Sequence, residues 1–201
     1  MSIAGCRVKG PCPSARRSRG FTLIELMVTL AVLAILAALA APSFSNLINS
    51  NRLIGAANDV VAGLQLARLE AVRRGQSVVV CPSTDGSSCA GSDWSRMIVF
   101  SDRNGNRQVD APADVVIRDI VLAGSGLVIK ASPNVTAQNW IRFSPDGFAW
   151  VGNQRQGGLG VCSSKLPPER NTRDVHVAVS RVSVSERAGT SDCAAPANSA
   201  S

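Results

Sequence analysis

The 201-residue sequence has no tyrosine, one histidine and an aromatic content of only 4%. Scarce aromatic rings disfavour a surface that binds single-stranded nucleic acid by stacking. A Cys-x-x-Cys pair is also lacking, and with one histidine a four-ligand zinc site is not expected. That histidine, His176, lies in an alternating strand-like segment, which indicates a structural or surface role. Since no catalytic triad, glycine-rich phosphate loop or paired-carboxylate motif is found, we expect neither an enzyme nor a bound cofactor.

A short segment, residues 102–110, resembles part of a calcium-binding loop. Its oxygen-bearing side chains alternate along the chain as hard-cation ligands do, at Asp102, Asn104, Asn106 and Asp110. The sixth loop position, however, is Arg107 rather than glycine, and the distal glutamate is absent. We favour a turn in which the Asp and Asn side chains cap their own backbone, and we predict no metal site.

The formal net charge of +7 comes mostly from the first 20 residues. They contain five of the 21 basic residues and none of the 14 acidic ones. The rest of the chain, with 16 basic and 14 acidic residues, has a net charge of +2. Binding of nucleic acid by an overall positive charge is therefore not indicated.

A long apolar run follows this basic segment directly. Residues 21–41 are mostly helix formers without glycine or proline, and the run is long enough to cross a bilayer as a helix. Because basic residues precede it, the N-terminus is expected in the cytoplasm and the rest of the chain outside. Beyond Pro42 the pattern becomes amphipathic, beginning with Phe44, Leu47 and Ile48. We expect one helix that kinks at Pro42 and stops at Gly75.

Short apolar stretches separated by turn residues follow from Ser77 onward. This pattern predicts an antiparallel β domain over residues 76–185. Residues 186–201 are rich in small and polar residues and are expected to form a flexible tail. The predicted strands cover residues 78–81, 96–100, 115–122, 126–131, 140–143, 148–151, 159–162 and 175–184.

Four of the six cysteines lie in this β region, at Cys81, Cys89, Cys162 and Cys193. Four cysteines can pair in three ways. Pairing Cys81 with Cys89 and Cys162 with Cys193 is the simplest, because a turn separates the first two and the second pair would pin the last strands to the tail. Free thiols and zinc ligands are the alternatives. An oxidising periplasm would favour disulfides.

The segment Arg-Arg-Ser-Arg-Gly-Phe-Thr-Leu-Ile-Glu-Leu-Met-Val at residues 16–28 resembles the processing site of type IV pilins and type II secretion pseudopilins. The resemblance implies that a prepilin peptidase removes residues 1–20 by cleavage between Gly20 and Phe21, and then N-methylates Phe21. It also implies a role in filament assembly for Glu25. A carboxylate within a membrane-spanning segment is costly and is normally kept for a partner. The free α-amine of a neighbouring subunit's Phe21 could neutralise it.

Two other interpretations of the apolar run stay open. A small-residue signal-peptidase site at Ala38-Leu39-Ala40, followed by Ala41, would make the run a Sec signal peptide and the mature chain an exported periplasmic protein. The run is longer than a usual signal sequence, and a charged Glu25 would be unusual there. A plain membrane anchor would leave the residue order around Gly20 unexplained.

The β region resembles the GspH/FimT family of minor pilins and pseudopilins, in residues 94–106, 141–147 and 159–162. The resemblance implies the α+β, type IV pilin-like fold, in which one long N-terminal helix packs on an antiparallel β domain. It also implies a non-enzymatic subunit of a type IV pilus or type II secretion pseudopilus, which acts in pilus biogenesis or protein secretion. The expected partners are other pilins or pseudopilins, contacted through the helix, and the bacterial inner membrane, which the chain crosses once with its C-terminal domain in the periplasm.

Some members of this family bind DNA during natural transformation through a Gly-Arg-x-Arg motif near the C-terminus. The matching residues here, 180–183, read Ser-Arg-Val-Ser, so Arg181 alone is retained. Arg187 is nearby but in a different register. Since a phosphate-binding patch needs several cations together, a solvated surface is favoured and DNA binding is the second hypothesis.

Overall fold

The computed structural model describes residues 20–122, 126–189 and 193–198, apart from the side chains of residues 41 and 42. The leader expected at residues 1–20 therefore lies outside the described residues except for Gly20. The chain divides into two compact units, Met1–Pro42 and Ser43–Ser201.

The first helix, α1, spans Leu23–Arg74 and continues through Pro42, as expected. Its last residues lead into Gly75, whose φ of +64° is the left-handed conformation in which many helices end. The face that packs on the β domain is buried only from Leu53 onward, at Leu53, Ala56, Ala57, Val60, Leu64, Ala67 and Ala71. Their spacing of three and four residues corresponds to one face of a helix.

The apolar stripe of α1 was expected to begin at Phe44. The structure instead leaves Phe44, Leu47 and Ile48 exposed. The buried stripe begins where α1 first joins the core cluster, and the three earlier residues are not members of that cluster. Periodicity predicted which side chains share a face, but it could not predict how far along the helix the sheets cover that face.

The described part of the chain contains nine strands in two antiparallel sheets. The first sheet has the order β3-β2-β1-β5-β6, and the second has the order β4-β7-β8-β9. A short helix, α2 (Pro133–Gln138), joins β4 to β5 and was not predicted. The strands are β1 (Ser77–Pro82), β2 (Arg96–Asp102), β3 (Val116–Val121), β4 (Leu127–Ala131), β5 (Ile141–Phe143), β6 (Ala149–Trp150), β7 (Gln156–Ser163), β8 (Thr172–Ala178) and β9 (Arg181–Arg187).

One apolar core lies between α1 and the facing sides of the two sheets. It includes Leu64 from α1, Val78 and Met97 from the first sheet, and Leu159 and Val175 from the second, all fully buried. Full burial of one such side chain stabilises the fold by about 1.5–3 kcal/mol. All residues of this core lie in the second unit, Ser43–Ser201, which therefore has a hydrophobic core of its own.

A second apolar cluster covers the opposite face of the first sheet. Val79, Cys81, Ile98 and Phe100 form it, and Trp140 packs against them. Strands β1 and β2 are thus buried on both faces. This explains why they read as continuous apolar runs rather than as alternating patterns.

The single strand predicted at residues 175–184 is in fact a hairpin of β8 and β9 with a turn at Val179 and Ser180. The prediction was wrong because both arms are rich in valine. The valines change phase at this point, from odd positions up to Val179 to even positions from Val182 onward. A change of phase moves side chains to the other face of a strand and could have indicated the turn.

The end of the chain also differs from the flexible tail expected at residues 186–201. Strand β9 continues to Arg187, and residues 193–198 pack back on the outer face of the second sheet. Arg187 Nη2 donates to the Ala194 carbonyl oxygen at 2.9 Å. Pro196 approaches Gly160 so closely that a Cβ on that glycine would lie 3.0 Å from the proline ring. Residues 190–192 and 199–201 lie outside the described residues.

Candidate functional site

The N-terminal end of α1 places the predicted processing and assembly residues side by side. Gly20, Phe21, Thr22 and Glu25 line one shallow surface depression in the first unit. Gly20 and Phe21 precede the helix, which begins at Leu23. Phe21 is 80% exposed, and, its chain neighbours apart, no atom of the described residues lies within 4 Å of where a Cβ on Gly20 would stand. None of the described residues therefore covers the peptide bond between them.

Thr22 begins the helix by capping it, a role that the sequence reasoning missed. The backbone N–H of Glu25 donates to Thr22 Oγ1 at 3.2 Å, and the N–H of Leu26 donates to the Thr22 carbonyl oxygen at 3.1 Å. A threonine followed three residues later by glutamate is the pattern of a capping box. The spacing Thr-x-x-Glu, read as a helix start, would have identified Thr22.

Glu25 is the one charged residue between positions 21 and 51 of the sequence. It lies in the first turn of α1, where the helix dipole favours a negative charge. None of the ion pairs of the described residues includes it. Its carboxylate thus has no ion-pair partner among the described residues.

The apolar side chains that follow Glu25 are exposed. Leu33 is 62% exposed, Leu36 is 59% exposed and Leu39 is 71% exposed. Within the described residues α1 is long and apolar enough to cross a membrane, with a mean hydropathy of 2.6 over its best window and none of that window buried. Exposed apolar surface of this extent indicates contact with lipid or with other helices.

Two disulfides lie among the described residues, and they pair the four cysteines of the β region in the arrangement predicted from the sequence as the simplest. Cys81 is bonded to Cys89, and Cys162 is bonded to Cys193. The first closes the loop after β1, and the second ties β7 to the segment 193–198. Cys81, Cys162 and Cys193 are buried, which shelters the bonds from reductants in solution.

The calcium-like segment forms a hydrogen-bonded turn. The Asp102 carboxylate accepts the N–H of Gly105 at 2.8 Å and that of Arg107 at 3.2 Å. Asn104 Nδ2 donates to Asp110 Oδ2 at 3.0 Å. Burial raises the pKa of Asp102 above its ordinary value. The oxygen atoms thus bond to groups within the loop, as the turn interpretation predicted.

The two arginines proposed for DNA binding lie at opposite ends of β9, opposite Ala178 and Thr172 of β8. Arg187 forms an ion pair with the buried carboxylate of Asp174, with a distance of 2.5 Å between Nε and Oδ2. Arg181 is exposed beside the β8–β9 turn. The structure therefore does not bring the two together, and DNA binding stays a prediction.

Histidine 176 lies on the outer face of the second sheet, on β8. Its Nε2 atom is 3.1 Å from Ser185 Oγ of β9. This hydrogen bond links neighbouring strands, in keeping with a structural role.

Two family profiles match the chain. Residues 56–183 match the family described as Type II transport protein GspH, and residues 15–41 match the prokaryotic N-terminal methylation motif. The chain belongs to the GspH family of type II transport proteins, and it is a protein of the minor pilin and pseudopilin class. Among curated proteins, none matches the sequence of this chain.

Solved structures of this class are similar to the chain in fold. The crystal structure of the type IV minor pilin FimU of Pseudomonas aeruginosa has 18% sequence identity and a TM-score of 0.52, over 67% of this chain and 89% of FimU. The minor pseudopilin EpsH from the type 2 secretion system of Vibrio cholerae has 14% identity and a TM-score of 0.41, over 66% of this chain and 93% of EpsH. The likeness to FimU confirms the predicted fold, a long N-terminal helix packed on antiparallel sheets.

Proposed function

We propose that this chain is a minor subunit of a type IV pilus or of a type II secretion pseudopilus. The observation that carries the proposal is a single carboxylate, Glu25, in the first turn of α1. It lies within an exposed apolar stretch, residues 21–40, that contains no other charge and directly follows the methylation-motif glycine. Residues 21–41 anchor the chain in the bacterial inner membrane, and the β domain lies in the periplasm. The chain then joins a filament and acts there through assembly.

Processing by a prepilin peptidase would create the group that Glu25 needs. Cleavage between Gly20 and Phe21 removes the basic leader and leaves an α-amine on Phe21. The amine is then methylated and remains a cation. It lies just before the helix, at the same end as the carboxylate of Glu25.

Assembly follows from the high cost of a lone carboxylate in an apolar environment. Any contact that supplies a cation stabilises the subunit in the membrane, because it neutralises the carboxylate of Glu25. The processed N-terminus of a neighbouring subunit is such a cation. The exposed apolar side chains of α1 gain from packing on other helices at the same time. Pairing of the charges fixes the axial register, and helix packing holds the subunits together.

Mass spectrometry of the mature N-terminus, on chain purified from native membranes, tests the processing step. We expect a chain that begins at an N-methylated Phe21. A terminus at Ala41 or Pro42 would mean cleavage by signal peptidase. That result would remove Glu25 from the mature protein and overturn the proposal.

A pair of variants tests the role of Glu25 and separates its charge from its capping position. Glu25→Gln removes the charge but keeps a residue that suits the third position of a capping box. Thr22→Ala removes the cap and keeps the charge. We expect the Gln variant to be processed at Phe21 but to be missing from sheared filaments, while the Ala variant is incorporated. Normal incorporation of Glu25→Gln would contradict the proposed role.

A further inference from the structure

A small cavity on the outer face of the first sheet has no part in the proposed function. Its volume is about 210 Å³, and five of its lining residues have polar or aromatic side chains: Arg107, Gln138, Trp140, Arg142 and Asn153. They come from the loop between β2 and β3, the end of α2, strand β5 and the segment after β6. Residues from four separate parts of the chain thus meet at one place.

The cavity concentrates positive charge without a matching negative charge. Two arginines line it, and no carboxylate does. Some other arginines of the described residues are paired with acids, for example Arg96 with Asp119 and Arg173 with Glu186. None of the five ion pairs of the described residues includes Arg107 or Arg142. The site therefore attracts an anion rather than a cation or a neutral ligand.

An indole ring lies beside each of the two guanidinium groups. Arg142 lies directly opposite Trp150 in the register of β5 and β6, and its Cζ is 5.9 Å from the indole centroid. Arg107 Cζ is 5.2 Å from the centroid of Trp140. Stacking on an aromatic ring fixes a guanidinium group by its flat face and leaves its N–H edges for a planar acceptor.

The Nε–H group of Arg142 is buried and has no hydrogen-bond partner among the described residues. Strand pairing places Arg142 opposite Val79, a member of the second apolar cluster. A buried donor without an acceptor is destabilising, and native structures normally avoid it. An acceptor bound in the cavity would satisfy this group.

Backbone strain occurs at the same place. Arg107 has a φ of +64°, a left-handed conformation that is unfavourable for a residue other than glycine. Such strain collects at binding sites, where the surrounding structure holds a side chain in a required position. Here it holds the second guanidinium group of the cavity.

We propose that this cavity binds an oxyanion, a carboxylate or a phosphate, between Arg107 and Arg142. Both anions present two oxygen atoms in a plane and can accept paired N–H bonds from a guanidinium group. The volume suits one such group with a few attached atoms. The site does not depend on the proposed assembly function, because none of its residues lies in α1 or near the N-terminus.

The three tryptophans make the test specific. The full-length chain, labelled with ¹⁵N-tryptophan in micelles of an uncharged detergent, gives three indole N–H signals in an NMR spectrum. We expect the signals of Trp140 and Trp150 to shift in a saturable way as sodium phosphate or sodium N-acetylglutamate replaces sodium chloride at constant pH and ionic strength. Trp140 lines the cavity and Trp150 lies beside Arg142, whereas Trp94 is buried in the core and is the internal control. The tighter-binding probe identifies the source of the oxyanion as phosphate or carboxylate.

Variants connect the shifts to the two arginines. Arg142→Gln and Arg107→Gln should each weaken the apparent affinity for the better probe by about tenfold, because each removes a charged donor. Arg118→Gln is the matched control, since Arg118 is an exposed arginine of β3, at the opposite edge of the same sheet. An unchanged Trp94 signal in each variant shows that its fold is intact. Shifts that do not saturate, that are equal for all three tryptophans or that persist in both Gln variants would overturn the proposal.

Discussion

The two units of the chain use their apolar residues in opposite ways. In the first unit the described apolar side chains from Phe21 to Leu39 are exposed, and one carboxylate is the sole charge between positions 21 and 51. The second unit buries a core of its own and contains both disulfides and all five ion pairs of the described residues. The first unit therefore depends on lipid or other helices for its stability, whereas the second depends on contacts within itself.

The largest effects are expected from loss of the disulfides, which stabilise the second unit alone. Loss of Cys162–Cys193, by a double change to Ser, should lower the free energy of unfolding of the second unit by about 4 kcal/mol, because a long loop loses its closure. Loss of Cys81–Cys89 should cost about 3 kcal/mol, since its loop is shorter. Urea unfolding in uncharged micelles, followed by tryptophan fluorescence, measures both, because all three tryptophans lie in the second unit. Equal costs would contradict the loop-length argument.

The effect of replacing a leucine of α1 on the free energy of unfolding should depend on how deeply that leucine is buried. Leu64 is fully buried in the core, whereas Leu33 is 62% exposed in the first unit. Leu64→Ala should lower the free energy of unfolding by about 3 kcal/mol, because it leaves a cavity. Leu33→Ala should change it by less than about 0.5 kcal/mol. A large effect of Leu33→Ala on the same fluorescence transition would show that folding of the second unit depends on the first.

Replacement of the two arginines at the ends of β9 should have different effects on the free energy of unfolding. Arg187→Ala leaves the carboxylate of Asp174, which is 3% exposed, without its partner. We expect a loss of about 2 kcal/mol. Arg181→Ala, an exposed arginine outside the ion pairs of the described residues, should be neutral within about 0.5 kcal/mol. If the Arg181 variant alone loses salt-dependent DNA binding in a gel-shift assay, the DNA hypothesis gains support.

The smallest expected effect is that of acid on the ion pairs of Glu70 at the end of α1. Hydrogen bonds from Arg73 and then Arg74 lower the pKa of Glu70 from 4.5 to about 2. Because the folded chain holds this proton less tightly than the unfolded chain, the stabilisation is complete above pH 4.5 and is lost as the pH falls towards about 2. Glu70→Gln should flatten the dependence of unfolding on pH in this window. An unchanged slope would mean that the two ion pairs contribute nothing.

Local patterns were enough to predict the main elements of the fold. Helical propensity and a three-to-four-residue repeat predicted α1, and Gly75 marked its end. Strands β1 and β2 were visible because burial on both faces makes them uniformly apolar. The hairpin of β8 and β9 was not recognised, since two valine-rich arms read as one strand when the change of phase is overlooked.

The candidate site residues also differ in whether a local pattern could identify them. Gly20, Phe21 and Glu25 lie within six residues of each other at the start of α1, so a local motif could identify them. The pairing of Arg187 with Asp174 could not be predicted, because it depends on the register of β8 against β9. The packing of residues 193–198 could not be predicted either, because Pro196 fits against β7 only where Gly160 has no side chain.

The sequence by itself determined where the apolar helix begins, that residues 21–51 contain a single charge and that a β domain follows. These properties depend on residues within one or two turns of each other, and their physical basis is hydropathy and helix propensity. Only the tertiary structure decided how far α1 is covered, what Arg187 pairs with, and that Arg107 and Arg142 share a cavity beside two tryptophans. These contacts join residues far apart in the chain, and strand order, register and loop packing set their distances together.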